Sequence, residues 1–336
     1  MVGFSVSVLL FVGSLALLLK ASDLFTSATE RVGLSMGVSP FIVGATVVAG
    51  GTSLPELVSS VLAVGRDAPA IVVGNVVGSN VANIFIVLGI AGVVGERIRV
   101  ERELMRVDLP LLVVSAAFVL VAVWNSPFVW YEGVLALLGL VVYVHFTLSQ
   151  PERLDETVVD LVETYAETEL EEPRPAEETL REEAQETEAG GRTYLWLLIG
   201  LALVFVSADQ LVRSILAIAS ALGIGAEFVA ITAVGVGTSL PEIAVTVTAV
   251  RGDNPEIAVG NVLGSNVFNS FAVMGVPSLL APLSVPANVR EFSLPVMVLA
   301  TVLYYFTTQD REITRWEGAI LLLMYAVFLV NLVQLA

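Results

Sequence analysis

Apolar segments long enough to cross a lipid bilayer recur along the whole chain of 336 residues. A membrane-spanning helix needs about 20 predominantly apolar residues. Hydrophobic residues make up 56% of the chain and charged residues only 15%, whereas about a quarter of the residues in a soluble domain are charged. Because long segments in lipid must satisfy their own backbone hydrogen bonds, they form helices. We therefore expect an all-α membrane protein.

Ten transmembrane helices are expected, in two groups of five separated by a polar segment. Their approximate ranges are 3–22, 38–64, 70–92, 107–124, 127–148, 193–216, 226–250, 255–281, 292–308 and 316–335. The polar segment holds 15 of the 33 acidic residues, and its composition predicts a disordered or transiently helical linker. The chain thus divides into a first five-helix repeat (1–148), an acidic linker (149–192) and a second five-helix repeat (193–336).

The composition excludes several classes of function. The net charge of −17 lies mostly in the linker, so nucleic-acid binding is not expected. Cysteine is absent and His145 is the single histidine, which excludes disulfides and metal sites built from thiolates or imidazoles. No nucleophile–base pair or cofactor motif is present, so we expect neither an enzyme nor a bound cofactor.

The two halves of the chain are related in sequence. The hexapeptide GTSLPE occurs at 51–56 and again at 237–242, and residues 52–89 align with 238–275 without a gap, with 23 of 38 identical. Since each half contains five spans, an odd number, the second half must enter the membrane with the opposite orientation. This predicts two inverted five-helix repeats, with a substrate site near the membrane midplane where they meet.

The basic residues predict the orientation of the chain. The loops on one side contain Lys20, Arg31, Arg97, Arg99, Arg102, Arg106, Arg251, Arg311 and Arg315. The loops on the other side contain only Arg66 and Arg290. The positive-inside rule assigns the richer side to the cytoplasm, which places both termini outside and the acidic linker in the cytoplasm.

The repeated hexapeptide carries two residues that a membrane helix normally avoids. Glu56 and Glu242 lie in the middle of predicted spans, where a carboxylate is costly unless it faces protein or water and finds a partner. Pro55 has no amide hydrogen, so the carbonyl of Gly51 loses its helical donor. The second copy repeats this arrangement at Pro241. Protonated glutamates and ordinary proline kinks are the alternatives, but the paired, symmetry-related groups favour a shared cation.

Neutral oxygen donors accompany each glutamate. Thr52 and Ser53 precede Glu56 by four and three residues and therefore share its helix face. The full set of such donors on the two motif spans and on the spans that follow them is Thr52, Ser53, Ser79, Asn83, Thr238, Ser239, Ser265 and Asn269. A single hydroxyl in a membrane helix usually bonds to its own backbone, but four sets in register favour ligands. Hard oxygen donors suit Ca²⁺ and Na⁺, and suit Mg²⁺ less well.

Other repeated residues are expected to support this site. Glycines spaced four apart should let the serine- and asparagine-bearing helix pack closely against the glutamate-bearing helix; they are Gly74, Gly78, Gly260 and Gly264. Asp23 and Asp209 fall near the ends of spans, and we expect them to cap helices or support gating without binding the cation directly.

The charge of the site suggests a mechanism. Two ionised glutamates give an empty site a charge of about −2, which is costly to move through a low-dielectric barrier. One Ca²⁺ or two monovalent cations would neutralise it. A protein of this kind should switch sides when loaded and resist switching when empty, which is the behaviour of an exchanger.

The paired GTSLPE and GN-x-x-GSN-x-x-N segments resemble the two alpha repeats of the cation/Ca²⁺ exchanger superfamily, and the likeness is to prokaryotic sodium/calcium exchangers. The resemblance covers the chain apart from 149–192. It implies overlapping Na⁺ and Ca²⁺ sites, with Glu56 and Glu242 as the central Ca²⁺ ligands and the motif hydroxyls as further donors. It also implies that the backbone carbonyls of Ala49 and Gly235 are ligands, and that the first and sixth spans move against a fixed core.

The resemblance further implies a multi-pass protein of a prokaryotic plasma membrane, with Na⁺ and Ca²⁺ as substrates; a monomer is compatible with the sequence. Some relatives, including potassium-dependent ones, carry aspartate where this chain has Asn269, so a potassium requirement is less expected here. A Ca²⁺/H⁺ exchanger and a K⁺-dependent Na⁺/Ca²⁺ exchanger stay as alternatives. A cation channel or ion sensor is the alternative from another class.

Overall fold

The computed structural model describes residues 4–35, 49–95, 97–99, 108–125, 127–148, 190–251, 255–309 and 312–335, and these residues are almost entirely helical. The all-α class expected from the sequence is thereby confirmed. The predicted linker at 149–192 lies outside the described residues except for its last three positions.

The first half begins with a long helix, and residues 70–95 form one continuous helical stretch of three segments, α, π and α. The elements of the first half are α1 (Phe4–Ser35), α2 (Ala49–Thr52), α3 (Leu54–Val64), α4 (Ala70–Ala82), the π-helical segment π1 (Asn83–Val87), α5 (Leu88–Gly95), strand β1 (Arg97–Arg99), α6 (Asp108–Val123) and α7 (Trp130–Leu148). Helix α1 continues well past its predicted end at residue 22, because no proline or glycine interrupts residues 21–32.

The second half contains counterparts of the helices of the first half. Its elements are α8 (Gly191–Leu222), α9 (Ala226–Val229), π2 (Ala230–Val234), α10 (Gly235–Thr238), α11 (Leu240–Arg251), α12 (Pro255–Phe268), π3 (Asn269–Val273), α13 (Met274–Ser278), π4 (Val289–Ser293), α14 (Leu294–Gln309), β2 (Glu312–Thr314) and α15 (Arg315–Leu335). The positions of the first half that are equivalent to α9, π2 and π4 lie almost entirely outside the described residues. Helix α8 ends at Gly223, whose φ of 69° is the left-handed conformation that commonly terminates helices.

Six helical stretches in the described residues are long and apolar enough to cross a membrane. They are Phe4–Thr29, Ala70–Gly95, Gly191–Leu222, Ala226–Arg251, Val289–Thr308 and Arg315–Leu335. Three shorter apolar helices, Leu54–Val64, Leu109–Val123 and Trp130–Phe146, lie at other predicted spans. The protein is therefore a membrane protein with several spans.

The stretch Ala70–Gly95 lies at the centre of the molecule. In its most apolar segment 83% of the residues are buried, against 28% in that of Phe4–Thr29. Small residues allow this close packing. A β-carbon on Gly74 would lie 2.7 Å from the carbonyl oxygen of Glu227, and one on Gly78 would lie 2.6 Å from the Cα of Ile231. The predicted packing role of these two glycines is confirmed. The close contact joins α4 to α9 and π2, which precede the second copy of the hexapeptide.

The two halves contact each other through pairs of equivalent contacts. Strand β1 pairs antiparallel with β2 so that Ile98 lies opposite Ile313. A second contact is the β-bridge between Phe128 and Leu283, whose backbone hydrogen bonds are 2.9 and 2.8 Å long. An offset of 185 residues converts Ile98 into Leu283 and Phe128 into Ile313, so each contact is the counterpart of the other.

Candidate functional site

Each copy of the repeated hexapeptide lies at a break in a helix. Helix α2 ends at Thr52, Ser53 has non-helical angles (φ −92°, ψ 7°), and α3 starts at Leu54. The second copy breaks in the same way at Ser239 (φ −82°, ψ 5°). A proline second in each new helix explains the break, because it lacks an amide hydrogen. Each motif glutamate therefore sits in the first turn of a helix, where the helix dipole favours a negative charge.

One carbonyl freed by this break has a protein partner. The sequence shows that the carbonyl of Gly51 loses its helical donor because of Pro55. In the structure this oxygen instead accepts a hydrogen bond of 3.0 Å from the hydroxyl of Ser22 on α1. A hydroxyl on a neighbouring helix thus replaces the missing amide donor and leaves one lone pair on the carbonyl oxygen. The bond also attaches α1 to the break in the motif helix.

The two glutamates are the central feature of the site. Glu56 and Glu242 are each 1% exposed, and Glu242 lies close enough to Glu56 for their charges to interact. Among the described residues, Oε2 of Glu56 and both carboxylate oxygens of Glu242 have no hydrogen-bond partner. Buried polar atoms are nearly always paired, so these oxygens indicate a place for a ligand.

Hydroxyl groups from both halves surround the carboxylates. The side chain of Thr238 lies beside Glu56, whereas Thr52 and Ser265 lie beside Glu242. The hydroxyl oxygens of Ser79 and Thr238 are 3.4 Å apart across the two halves. The structure thus places the motif of one half beside the Ser/Asn helix of the other.

Two of the predicted hydroxyl donors bond to their own helix. Thr238 donates to the carbonyl of Val234 at 3.0 Å, and Ser239 donates to the carbonyl of Gly235 at 2.8 Å. Such a bond uses the hydroxyl hydrogen but leaves lone pairs on the oxygen, which a cation can still accept. The hydroxyls of Ser53 and Ser265 are buried, and neither finds a partner within the described part of the chain.

Amide side chains complete the buried polar layer. Asn83 donates to Oδ1 of Asn266 at 3.1 Å, and Asn80 donates to the hydroxyl of Ser270 at 3.0 Å. Neither side-chain atom of Asn269 is paired within the described residues. Asn83 and Asn269 begin π1 and π3, and single π-helical turns often occur at functional sites.

Two further asparagines hold the glutamate-bearing helices, and the sequence reasoning missed them. Asn75 donates to the carbonyl of Glu56 at 3.2 Å and to the hydroxyl of Ser60 at 3.1 Å. Asn261 makes the same two contacts, 186 residues later, to Glu242 and Thr246 at 3.4 and 3.2 Å. Both asparagines stand at equivalent positions of the two repeats, and this identity could have pointed to them in the sequence.

The remaining predicted positions lie at the starts of two short helices, α2 and α10, and inside α8, where Asp209 pairs with arginines and does not cap a helix as expected. Gly235 is buried at the start of α10, and Ala49 starts α2, although its side chain is outside the described set. Asp209 accepts hydrogen bonds from Arg66 (Nε, 2.6 Å) and from Arg213 (3.0 Å). Within the described residues, no group of three or more histidine, cysteine, aspartate or glutamate side chains could hold a metal ion.

The sequence matches the family described as "Sodium/calcium exchanger protein" over residues 6–149 and 192–334. The sodium/calcium exchanger MaX1 of Methanosarcina acetivorans is 32% identical, over 98% of this chain and 99% of MaX1. The putative antiporter CaxA of Alkalimonas amylolytica is 30% identical, over 93% of each chain. A solved structure of the sodium-calcium exchanger NCX_Mj, soaked with Na⁺ and Sr²⁺, is 30% identical with a TM-score of 0.62, over 98% of this chain and 99% of that one.

Proposed function

This chain belongs to the sodium/calcium exchanger protein family, and from that premise we propose that it is a secondary antiporter that exchanges Na⁺ for Ca²⁺ by alternating access. The single observation that carries the proposal is the pair of buried glutamates, Glu56 and Glu242, with unpartnered oxygens facing hydroxyls of the opposite half. Named relatives that exchange these ions support the choice of substrates.

We propose that the architecture is ten transmembrane helices in two inverted five-helix repeats, 1–148 and 193–336, with 149–192 as a cytoplasmic linker. The equivalent contacts between the halves support a two-fold relation, since Ile98–Ile313 and Phe128–Leu283 exchange places under the repeat offset. The odd number of spans per half supports inversion. The distribution of basic residues supports termini outside a prokaryotic plasma membrane.

In the proposed site, Glu56 and Glu242 provide the two negative charges that one Ca²⁺ would neutralise. Further oxygens would come from side chains and carbonyls of both halves: Thr52, Ser53, Ser79, Asn83, Thr238, Ser239, Ser265, Asn269, and the backbone of Ala49 and Gly235. Ca²⁺ takes six to eight oxygen ligands in flexible geometry, and this set exceeds that number, which leaves donors for Na⁺ in overlapping positions.

The charge balance favours exchange over uniport. Without a cation, two ionised carboxylates would have to cross the midplane of the barrier unneutralised, and the electrostatic cost in a low dielectric opposes this. With Ca²⁺ bound, or with two Na⁺, the net charge is close to zero and the barrier falls. Transport of one ion therefore depends on return of the other.

The test is uptake of radioactive Ca²⁺ into proteoliposomes loaded with Na⁺, K⁺ or choline, each with and without a pH gradient. We expect uptake only with internal Na⁺. Removing one partner of a buried charge interaction costs about 2–5 kcal/mol. Glu56→Gln and Glu242→Gln should therefore each lower the rate of uptake, measured at a Ca²⁺ concentration well below saturation, by at least about thirtyfold. The exposed glutamate Glu291, which pairs with Arg290 at the surface, supplies the control Glu291→Gln, with uptake unchanged.

Other outcomes would replace the proposal by a specific alternative. Uptake driven by the pH gradient without Na⁺ would identify a Ca²⁺/H⁺ exchanger. A requirement for K⁺ together with Na⁺ would identify a K⁺-dependent exchanger. Full-rate uptake into choline vesicles would indicate a channel, and normal uptake in both glutamine variants would refute the two-carboxylate site.

A further inference from the structure

A cavity lined mostly by polar residues lies between the second half of α1 and the candidate site. Its volume is about 250 Å³, which is space for about eight water molecules at roughly 30 Å³ each. Asp23, Thr26 and Ser27 line it from α1, and Thr52 and Pro241 line it from the two motif helices. It therefore ends on a proposed ion ligand, Thr52. Its wall carries one carboxylate and the hydroxyls of Ser22, Thr26, Ser27 and Thr52.

The equivalent position in the second half is closed. The repeat offset of 186 converts Asp23 into Asp209 and Thr26 into Val212. Asp209 is paired with two arginines, and Val212 is fully buried. A wider groove of about 570 Å³ lies beside Asp209 between α1 and α8, but no residue of α10 or α11 lines it.

The motif residues show the same asymmetry. Thr238 is 0% exposed, whereas its counterpart Thr52 is half-buried and faces the cavity. Leu15 lies against Gly237, next to Thr238, and covers that approach with an apolar side chain. The structure thus has one polar approach to the site and one closed approach.

The charge of Asp23 is available to the cavity. Within the described part of the chain, Asp23 forms no ion pair of the kind that Arg66 forms with Asp209, and Lys20 interacts with it only through the field of its charge. Asp23 is exposed at the mouth of this cavity, and a cleft that carries charge of one sign raises the local concentration of counter-ions.

We propose that Asp23, with Thr26 and Ser27, forms an access site for hydrated cations on the way to Glu56 and Glu242. The proposal rests on the cation transport proposed above. One carboxylate and two hydroxyls hold a hydrated Ca²⁺ or Na⁺ weakly, so the ion accumulates near Thr52 without being trapped. If the basic loops are cytoplasmic, the access site faces the cytoplasm, the side from which an exporter collects Ca²⁺.

The first test uses transport. Asp23→Asn should raise the Ca²⁺ concentration for half-maximal uptake by about three- to tenfold at low ionic strength, with the maximal rate within about twofold of wild type. The increase should disappear at about 1 M choline chloride, where the screening length is about 3 Å. Asp23→Glu should restore the wild-type value. The control Asp67→Asn removes the same charge from an exposed loop, where φ is 56° and asparagine is well tolerated.

The second test does not depend on transport. The chain has no cysteine, so Ser27→Cys introduces a single thiol into the wall of the cavity. The measured quantity is the rate of modification by a cationic methanethiosulfonate reagent divided by the rate with an anionic one. We expect this ratio to be several times higher in Ser27→Cys than in the double variant that also carries Asp23→Asn.

The two tests separate the failure of the two proposals. If wild-type protein shows no Na⁺-dependent Ca²⁺ uptake but the labelling ratio depends on Asp23, the exchanger proposal fails and the cation access site stands. If uptake is normal but neither the half-maximal concentration nor the labelling ratio changes in Asp23→Asn, the access site is refuted. A loss of maximal rate that Asp23→Glu does not restore would also refute it, because that pattern indicates a structural role.

Discussion

Gly78→Ala is expected to disturb the candidate site without touching any of its polar groups. Gly78 precedes Ser79 on α4, and α4 packs against the backbone of π2. An alanine β-carbon at this position would lie 2.6 Å from the Cα and 2.9 Å from the carbonyl carbon of Ile231. Carbon atoms prefer separations of about 3.5–4.0 Å, so the two backbones must separate by about 1 Å or remain strained.

The size of the effect follows from that separation. Ser79 and Thr238 lie 3.4 Å apart across the contact, and a Ca²⁺ bound to both must stay about 2.3–2.6 Å from each oxygen. Overpacking a core by one methyl group costs about 1–3 kcal/mol. If the helices separate and the cost falls on ligand geometry, the Ca²⁺ concentration for half-maximal uptake rises about 5- to 150-fold. If they do not separate, the free energy of unfolding falls by the same amount, about 1–3 kcal/mol.

The assay therefore measures both quantities on the same preparation: Ca²⁺ uptake in proteoliposomes and thermal unfolding in detergent. The control is Gly13→Ala, because a β-carbon at Gly13 has nothing within 4 Å, and we expect wild-type values for it. A Gly78→Ala variant with wild-type uptake and unchanged unfolding temperature would show that the close contact between α4 and π2 does not position the site.

Three further substitutions test individual contacts. Asn75→Leu removes the donor to the carbonyl of Glu56 and leaves that acceptor buried, so we expect a loss of about 1–3 kcal/mol in thermal unfolding, together with weaker Ca²⁺ uptake; an unchanged protein would contradict this. Arg66→Gln breaks a partly exposed ion pair with Asp209, and a double-mutant cycle should give a coupling of about 1 kcal/mol or less, diminishing at high salt. Tyr304→Phe removes the hydroxyl that donates to the carbonyl of Val259 at 2.9 Å, and unfolding should show a loss of about 1 kcal/mol; a stabilised variant would refute the bond's contribution.

The parts of the site that follow from local sequence were predictable. The breaks at Ser53 and Ser239 follow from the proline two residues later, because the missing amide acts within one helical turn. The helix faces shared by Thr52, Ser53 and Glu56 follow from helical periodicity. The duplication predicted that each element would occur twice, and the equivalent Asn75 and Asn261 contacts show how far that relation extends.

The parts that depend on long-range contacts could not be predicted. The sequence shows that Pro55 frees a carbonyl at Gly51, but the donor that reaches it, Ser22, lies 29 residues away on another helix. The π-helical segments at Asn83 and Asn269 add one residue to a turn, and no residue type specifies such an insertion. The asymmetry between Asp23 and Asp209 is visible in part, since Thr26 and Ser27 correspond to Val212 and Arg213. The pairing of Asp209 with Arg66, 143 residues earlier, depends on the fold.

The pairing of β1 with β2 has a consequence for biosynthesis. Strand β1 leaves the ribosome with the first half, but its partner Glu312–Thr314 is made more than 200 residues later. At roughly 5–20 residues per second, Arg97–Arg99 wait about 10–40 s with unpaired backbone groups. During that time Ile98, which is buried in the finished protein, lacks Ile313 opposite it. Chaperones and proteases that monitor nascent membrane proteins therefore meet the first half in a form that the finished protein never shows.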